Sequence, residues 1–143
     1  MKIETPIEIA NRLRGTLLSE EDVKLIERLY MRHPAAFVTG SALWCPDTAR
    51  DFDICVNAKK EDVALFLDIP DNSEGSFGSL RIPSSNINVV CLCAKRAAVW
   101  YTATRLMSAL APIRDKQKRV GVFETLCGLV SAAELRHNDE AVL

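Results

Sequence analysis

Asp51 and Asp53 stand one residue apart in the segment DFDICV (51–56), where Phe52, Ile54 and Val56 supply the apolar half of a two-residue alternation. That period predicts a β-strand. Side chains two positions apart share a strand face and are separated by roughly 6–7 Å. One face therefore presents two carboxylates and the other a core stripe. Just upstream, FVTGS (37–41) reads as a strand running into a Gly40-Ser41 turn. Such a turn offers backbone N–H groups and a hydroxyl, which suit a phosphate. Paired carboxylates beside a phosphate cradle are the arrangement that holds Mg2+ and a nucleotide.

The elements needed to position these groups are legible along the chain. Thr5-Pro6 is a good helix start, and Ile7, Ala10 and Leu13 give an apolar stripe that ends at Gly15. Ser19 and Asp22 approximate a capping box for a helix carrying Val23, Ile26, Leu29 and Tyr30, which stops before Pro34. Residues 35–39 and 52–56 are expected strands, and residues 59–68 a helix with Val63, Phe66 and Leu67 inward. The polar, Gly-rich stretch DNSEGSFGS (71–79) reads as a loop. Residues 80–82 suit a short strand, and residues 87–93, INVVCLC, a buried one. Two helices follow, 95–110 and 115 to about 130, divided at Pro112, and residues 136–143 read as a frayed tail. The expected fold class is α/β (α+β): a single domain over 1–143 with N-terminal helices at 1–33, a small mixed sheet and site at 35–93, and a C-terminal helix pair at 95–130.

The pattern of two apolar residues, one further residue, Gly-Ser, a short gap and then Asp-x-Asp in an apolar strand resembles the nucleotidyltransferase superfamily, the polymerase-beta-like fold. Gly40, Ser41, Asp51 and Asp53 match that pattern. The stretches INVV, WYTATRLMSAL and IRDKQKRVGVFETLCG are also similar to small nucleotidyltransferase-like proteins of tailed bacteriophages. The resemblance implies that Gly40 and Ser41 hold the triphosphate and that Asp51 and Asp53 hold Mg2+. It also implies a third acidic residue on a later strand, where this chain has Asn88. An amide oxygen can ligate a hard cation, but Asn88 cannot act as a general base. Asn86 is equally neutral, and Glu74 in the loop is the remaining acidic candidate nearby. The activity implied is transfer of an NMP from an NTP to a hydroxyl, with Asp51, Asp53 and Asn88 as the catalytic set. The alternative is a non-catalytic phage effector on the same fold, binding a nucleotide or a host protein.

Composition narrows the classes. The chain has 143 residues, enough for one domain with a sizeable core, and 48% of them are hydrophobic. A formal net charge of −1 gives no global field to draw it onto nucleic acid, although a nucleic-acid acceptor at a local basic patch is compatible with it. Most of the basic residues suit a solvated face. Lys116 and Arg119, three apart, share one face at the start of the last helix, where cations oppose the helix dipole and an anion would relieve the conflict. Arg81 precedes the later strand and could point toward the Asp pair or the nucleotide. Trp44 follows the Gly-Ser turn and could stack on a base or serve as a lid, whereas Trp100 and Tyr101 fit a helical core pattern. His33 and His137 stand outside any catalytic arrangement, which disfavours a Ser-His or Cys-His hydrolase. Five cysteines, an odd number without a C-x-x-C pair, read as reduced thiols rather than a disulfide or zinc framework. No run is long enough to span a membrane and no signal-peptide core is present, so the expected location is the cytoplasm, the host's if the protein is phage-encoded.

Overall fold

The computed structural model describes residues 3–71, 79–110 and 112–142, with side chains described up to residue 134. Its chain order is α1 (Pro6–Leu13), α2 (Glu20–Arg32), β1 (Phe37–Thr39), α3 (Ser41–Trp44), β2 (Phe52–Val56), α4 (Lys60–Leu67), β3 (Leu80–Arg81), β4 (Ile87–Cys91), α5 (Ala94–Ser108) and α6 (Lys116–Val142). Among the described residues this is one α/β domain on a four-stranded sheet ordered β1-β2-β4-β3. β2 and β4 are parallel, which requires a crossover, and α4 lies within it. The outer pairs β1–β2 and β3–β4 are antiparallel.

Both N-terminal helices are capped as the sequence predicts. The Thr5 hydroxyl accepts from the Glu8 amide at 3.2 Å. The Ser19 hydroxyl accepts from the Asp22 amide at 3.1 Å, while the Asp22 carboxylate accepts from the Ser19 amide at 2.9 Å. This reciprocal pair satisfies two donors that the first turn would otherwise leave bare.

Register explains the layering. Val38, Ile54, Val89 and Leu80 align across all four strands, and together with Phe52, Val56 and Ile87 they form a face packed against α1, α2 and α4. Ile9, Ala10, Val23, Ile26, Leu29 and Val63 meet that face, and all are buried. The opposite face carries Phe37, Cys55 and Val90 in a row, with Leu92 beyond it, and packs against Ala97 and Trp100 of α5. Helix α6 lies on α5, with Phe123 edge-on to Trp100 at 5.2 Å.

Several boundaries differ from the sequence reading. β1 is shorter than 35–39, because the Ala36 amide is taken by the His33 carbonyl at 2.9 Å. β4 stops at Cys91, and Cys93 is the N-cap of α5 rather than a strand residue. Ile9, not Ile7, leads the buried face of α1. Phe66 is only half-buried, with the guanidinium groups of Arg28 and Arg32 over its ring at 5.5 and 5.9 Å. Tyr101 is exposed, although its ring meets Phe37 edge-on at 5.3 Å. The backbone of α6 stays helical to Val142 instead of ending near 130, since 131–142 contains neither Pro nor Gly and is rich in helix formers. The expected loop at 71–79, with Glu74, falls largely outside the described residues, as does the side chain of His137.

The sheet face toward α1, α2 and α4 carries the larger apolar cluster. Ile54→Ala removes a fully buried side chain from the aligned row. The expected cost is about 2–5 kcal/mol of unfolding free energy, read from urea denaturation with an unchanged slope. A loss below about 1 kcal/mol would place this row outside the cooperative core.

Candidate functional site

Thr39, Asp53, Asn88 and Arg81 are cross-strand partners on successive strands, so one polar row crosses the whole sheet. It lies on the α5 side, one step along the strands from the apolar row Phe37–Cys55–Val90. Along β2, Asp53 and Cys55 share this face while Phe52, Ile54 and Val56 point to the other. The D-x-D segment therefore alternates as expected, except that Asp51 sits just ahead of the strand rather than within it.

The row is wired together by its side chains. Asn88 is buried, and its amide nitrogen donates to Asp53 Oδ1 at 3.0 Å. Its amide oxygen accepts from Arg81 at 3.4 Å, and the same guanidinium nitrogen donates to Asp51 Oδ1 at 3.0 Å. Thr39 shares a 3.0 Å hydroxyl–hydroxyl hydrogen bond with Thr104 of α5, tying the row to the helix above. Burial raises the Asp53 carboxyl above its ordinary range. The Asn88 hydrogen bond opposes that rise, Asp51 adds to it by repulsion, and Arg81 and Lys116 oppose it.

Gly40 belongs to the same unit. It is the N-cap of α3 and has φ +78°, a backbone conformation open to glycine and costly for other residues. A Cβ built there would stand 2.8 Å from Asp53 Oδ2. The Gly-Ser segment is thus the start of a short helix, not an open turn. The first amides of a helix have no helical acceptor, so Ser41 and Ala42 bring such N–H groups to the same end of β1 as Asp53.

Above the row lies a cavity of about 690 Å3 between the sheet, α3, α5 and α6. Gly40, Ser41, Asp51 and Asp53 line its polar end, and Lys116 and Arg119 line the rim from α6. Arg81 and Asn88 join through their bonds to the two acids. Of the residues singled out from the sequence, Gly40, Ser41, Asp51, Asp53, Lys116 and Arg119 line this cavity, Arg81 and Asn88 stand behind the two acids, and Arg81 and Asn86 line a separate cavity beside α2. Arg119 is partly committed: one guanidinium nitrogen donates to the carbonyls of Ile113 at 3.1 Å and Arg114 at 3.4 Å, bracing the loop before α6.

The sequence reading did not single out Thr39, Arg50, Val90, Phe123 or Cys127, which also line the cavity. A signal was present for some of them. Lys116, Val120, Phe123 and Cys127 recur at helical spacing and share one face of α6. Among the described residues, the basic groups on the lining are Arg50, Arg96, Arg114, Lys116 and Arg119, against the acidic Asp51, Asp53 and Glu124. Arg114 is already paired with Asp47 at 2.9 Å, so Arg50, Arg96, Lys116 and Arg119 stand against the three acids, a slight cationic excess that suits an anionic guest. Thiol chemistry is poorly supported. Burial lifts Cys55 well above its usual value, Cys91 to about 11 and Cys127 upward, so these thiols stay protonated near neutrality.

Compared with protein-family models, curated proteins and solved structures, the chain matches none. Fold and site define an α/β protein whose mixed sheet carries a polar row, buried at Thr39 and Asn88 and half-buried at Asp53 and Arg81, beside a cavity lined by several basic side chains. Among the described residues, no helix is long and apolar enough to cross a membrane.

Two outcomes are expected here. Gly40→Ala meets both the positive φ and the Asp53 carboxylate, so it should lower the melting temperature, and pairing it with Asp53→Ala should recover part of that loss. The second concerns pH. The folded-state pKa of Asp53 is raised above its ordinary 3.8, so the stabilisation it brings is full below 3.8 and lost as pH rises through the folded value. Asp53→Asn keeps an acceptor for Asn88 and removes that loss. It should be more stable than the natural protein at pH 7, with the advantage vanishing below pH 3.8. Denaturation across this range checks the sign, and an Asp53→Asn protein that is less stable at pH 7 contradicts it.

Proposed function

We propose that the protein is a nucleotidyltransferase-like enzyme that binds a nucleoside triphosphate in the cavity above the polar row and transfers its NMP to a hydroxyl acceptor. The observation that supports this reading is the alignment Thr39–Asp53–Asn88–Arg81 with Asp51 just ahead of it and Gly40-Ser41 beside it, both acids and the Gly-Ser segment lining a cavity with several basic side chains.

The donor set suits one hard divalent cation. Hydrogen bonds engage Oδ1 of both Asp51 and Asp53, which leaves Oδ2 of each for another partner. Asn88 is neutral, directs its amide nitrogen toward Asp53 and has its oxygen taken by Arg81, so it adds neither an anionic nor an oxygen ligand to the pair. Asp51 and Asp53 would hold a single Mg2+ brought in with the triphosphate, and when bound it would neutralise phosphate charge. The Gly40-Ser41 amides and the Ser41 hydroxyl would take the β- and γ-phosphates. Asn88 orients Asp53, while Arg81 neutralises Asp51 until the nucleotide arrives. In the transfer the acceptor oxygen bonds to the α-phosphorus, the bond from that phosphorus to the bridging oxygen breaks, pyrophosphate leaves and the hydroxyl proton passes to water. Catalysis of this kind rests on positioning and charge neutralisation.

A specific observation supports a second reading, a non-catalytic binder of a nucleotide or a host protein. Arg81 already supplies a cation to Asp51, and Asn88 fills the third position with a hydrogen-bond donor, so the row is satisfied without metal.

Asn88→Asp separates the two. Under the enzymatic reading it adds a third carboxylate, raises affinity for Mg2+ and speeds release of labelled product from NTP. Under the binding reading it places a charge at the buried position 88 beside Asp53 and costs on the order of a few kcal/mol, relieved only partly by Arg81. Product release from labelled NTP, with melting curves with and without Mg2+, distinguishes them. An inactive variant whose stability ignores Mg2+ rules out the enzymatic reading.

A further inference from the structure

We infer that Trp44, Trp100 and Phe123 form the nucleobase subsite of the cavity, which therefore favours purine over pyrimidine nucleotides; the inference rests on the nucleotide reading above. The cavity has two chemically distinct ends. Asp51, Asp53, Gly40 and Ser41 make one of them, while Val90, Val120 and the three aromatic side chains line the other. Asp53 and the Cys55–Val90 row are two residues apart along β2, so the lining changes from charged to apolar over roughly 6–7 Å. A nucleotide has the same polarity: an anionic phosphate chain at one end and a planar ring with apolar faces at the other.

The rings are pre-arranged. Phe123 lies 5.6 Å from Trp44 and 5.2 Å from Trp100, so it bridges the two indoles. The Trp44 indole N–H donates to the Ser108 hydroxyl at 3.1 Å, which in turn donates to the Thr104 carbonyl at 2.9 Å. Thr104 is the residue whose hydroxyl meets Thr39 of the polar row. Trp44 is thereby held to the same α5 turn that anchors the phosphate end. A trio serving only to join α3, α5 and α6 would be enclosed, yet all three side chains are half-buried and all three line the cavity. At about 690 Å3 the space lies within the usual size of small-molecule sites. Recognition through ring faces grows with ring area, hence the expected preference for a purine.

The test compares ATP, UTP and inorganic tripolyphosphate on the full chain with Mg2+, by calorimetry and tryptophan fluorescence. ATP is expected to bind at least about tenfold more tightly than tripolyphosphate, since stacking of one base has that effect on Kd. ATP is also expected to outbind UTP and to quench tryptophan emission, which tripolyphosphate leaves unchanged. Phe123→Leu should erase most of the ATP advantage while leaving tripolyphosphate affinity as it was. Equal affinity for ATP and tripolyphosphate in the natural protein overturns the base subsite while leaving the phosphate site intact. Binding of neither overturns the nucleotide reading itself, and the subsite with it. Both comparisons on the natural protein stand even if the variant fails to fold.

Discussion

A half-buried carboxylate at position 53, hydrogen-bonded to the fully buried Asn88, constrains the surrounding architecture. Charge out of water is costly unless it is hydrogen-bonded or neutralised. Asp53 receives one hydrogen bond, from the amide of Asn88, and its other oxygen faces the bare Cα of Gly40. Each neighbour is specified by that burial. Position 40 must lack a Cβ, position 88 must donate, and a cation must stand near enough to offset the repulsion between Asp51 and Asp53. Arg81 supplies that cation from the edge strand. A short strand of two residues is sufficient because its task is to deliver one guanidinium at the register of Asn88. Desolvation and the repulsion of Asp51 raise the Asp53 carboxyl, Asn88, Arg81 and Lys116 offset part of that rise, and a further cation would ease it more.

The two faces of the sheet divide the work. The face toward α1, α2 and α4 is apolar, aligned across all strands and carries the larger apolar cluster. The face toward α5 and α6 has a smaller apolar cluster and leaves room beside it. Stability placed on one side allows the other to hold a charge and an unfilled space. Helix α5 connects the two ends of that space, since Thr104 and Ser108 lie one turn apart and reach Thr39 and Trp44 respectively.

How much of this was legible in the sequence follows from the range of each interaction. Capping at Ser19 and Asp22 and the alternation of DFDICV depend on residues close in the chain and can be read directly, whereas the contact of Gly40 with Asp53 crosses from β1 to β2 and cannot. The polar row could be read only in part. Asp53 and Asn88 were recognisable one by one, but their pairing and the place of Arg81 beside them depend on strand order, which local pattern does not encode. Ile9 displaced Ile7 because the direction of a helix face depends on what it packs against. Phe123 and Cys127 carry a helical spacing that could have been noticed, yet their relevance appears only once α6 crosses the mouth of the site. The extension of α6 past residue 130 is hidden by the charged, polar composition of 136–143, which reads as a tail although it contains no helix breaker.

The central claim is that the end of β1 and the middle of β2 receive the phosphates of a nucleotide. Amide chemical shifts of isotopically labelled protein, followed during titration with ATP and Mg2+, test it most directly. The account predicts the largest changes at Thr39, Gly40, Ser41 and Asp53, with smaller ones at Asn88 and along the first turns of α6. Unchanged shifts at these residues at saturating ATP, or changes confined to α1 and α2 on the opposite face, would contradict it.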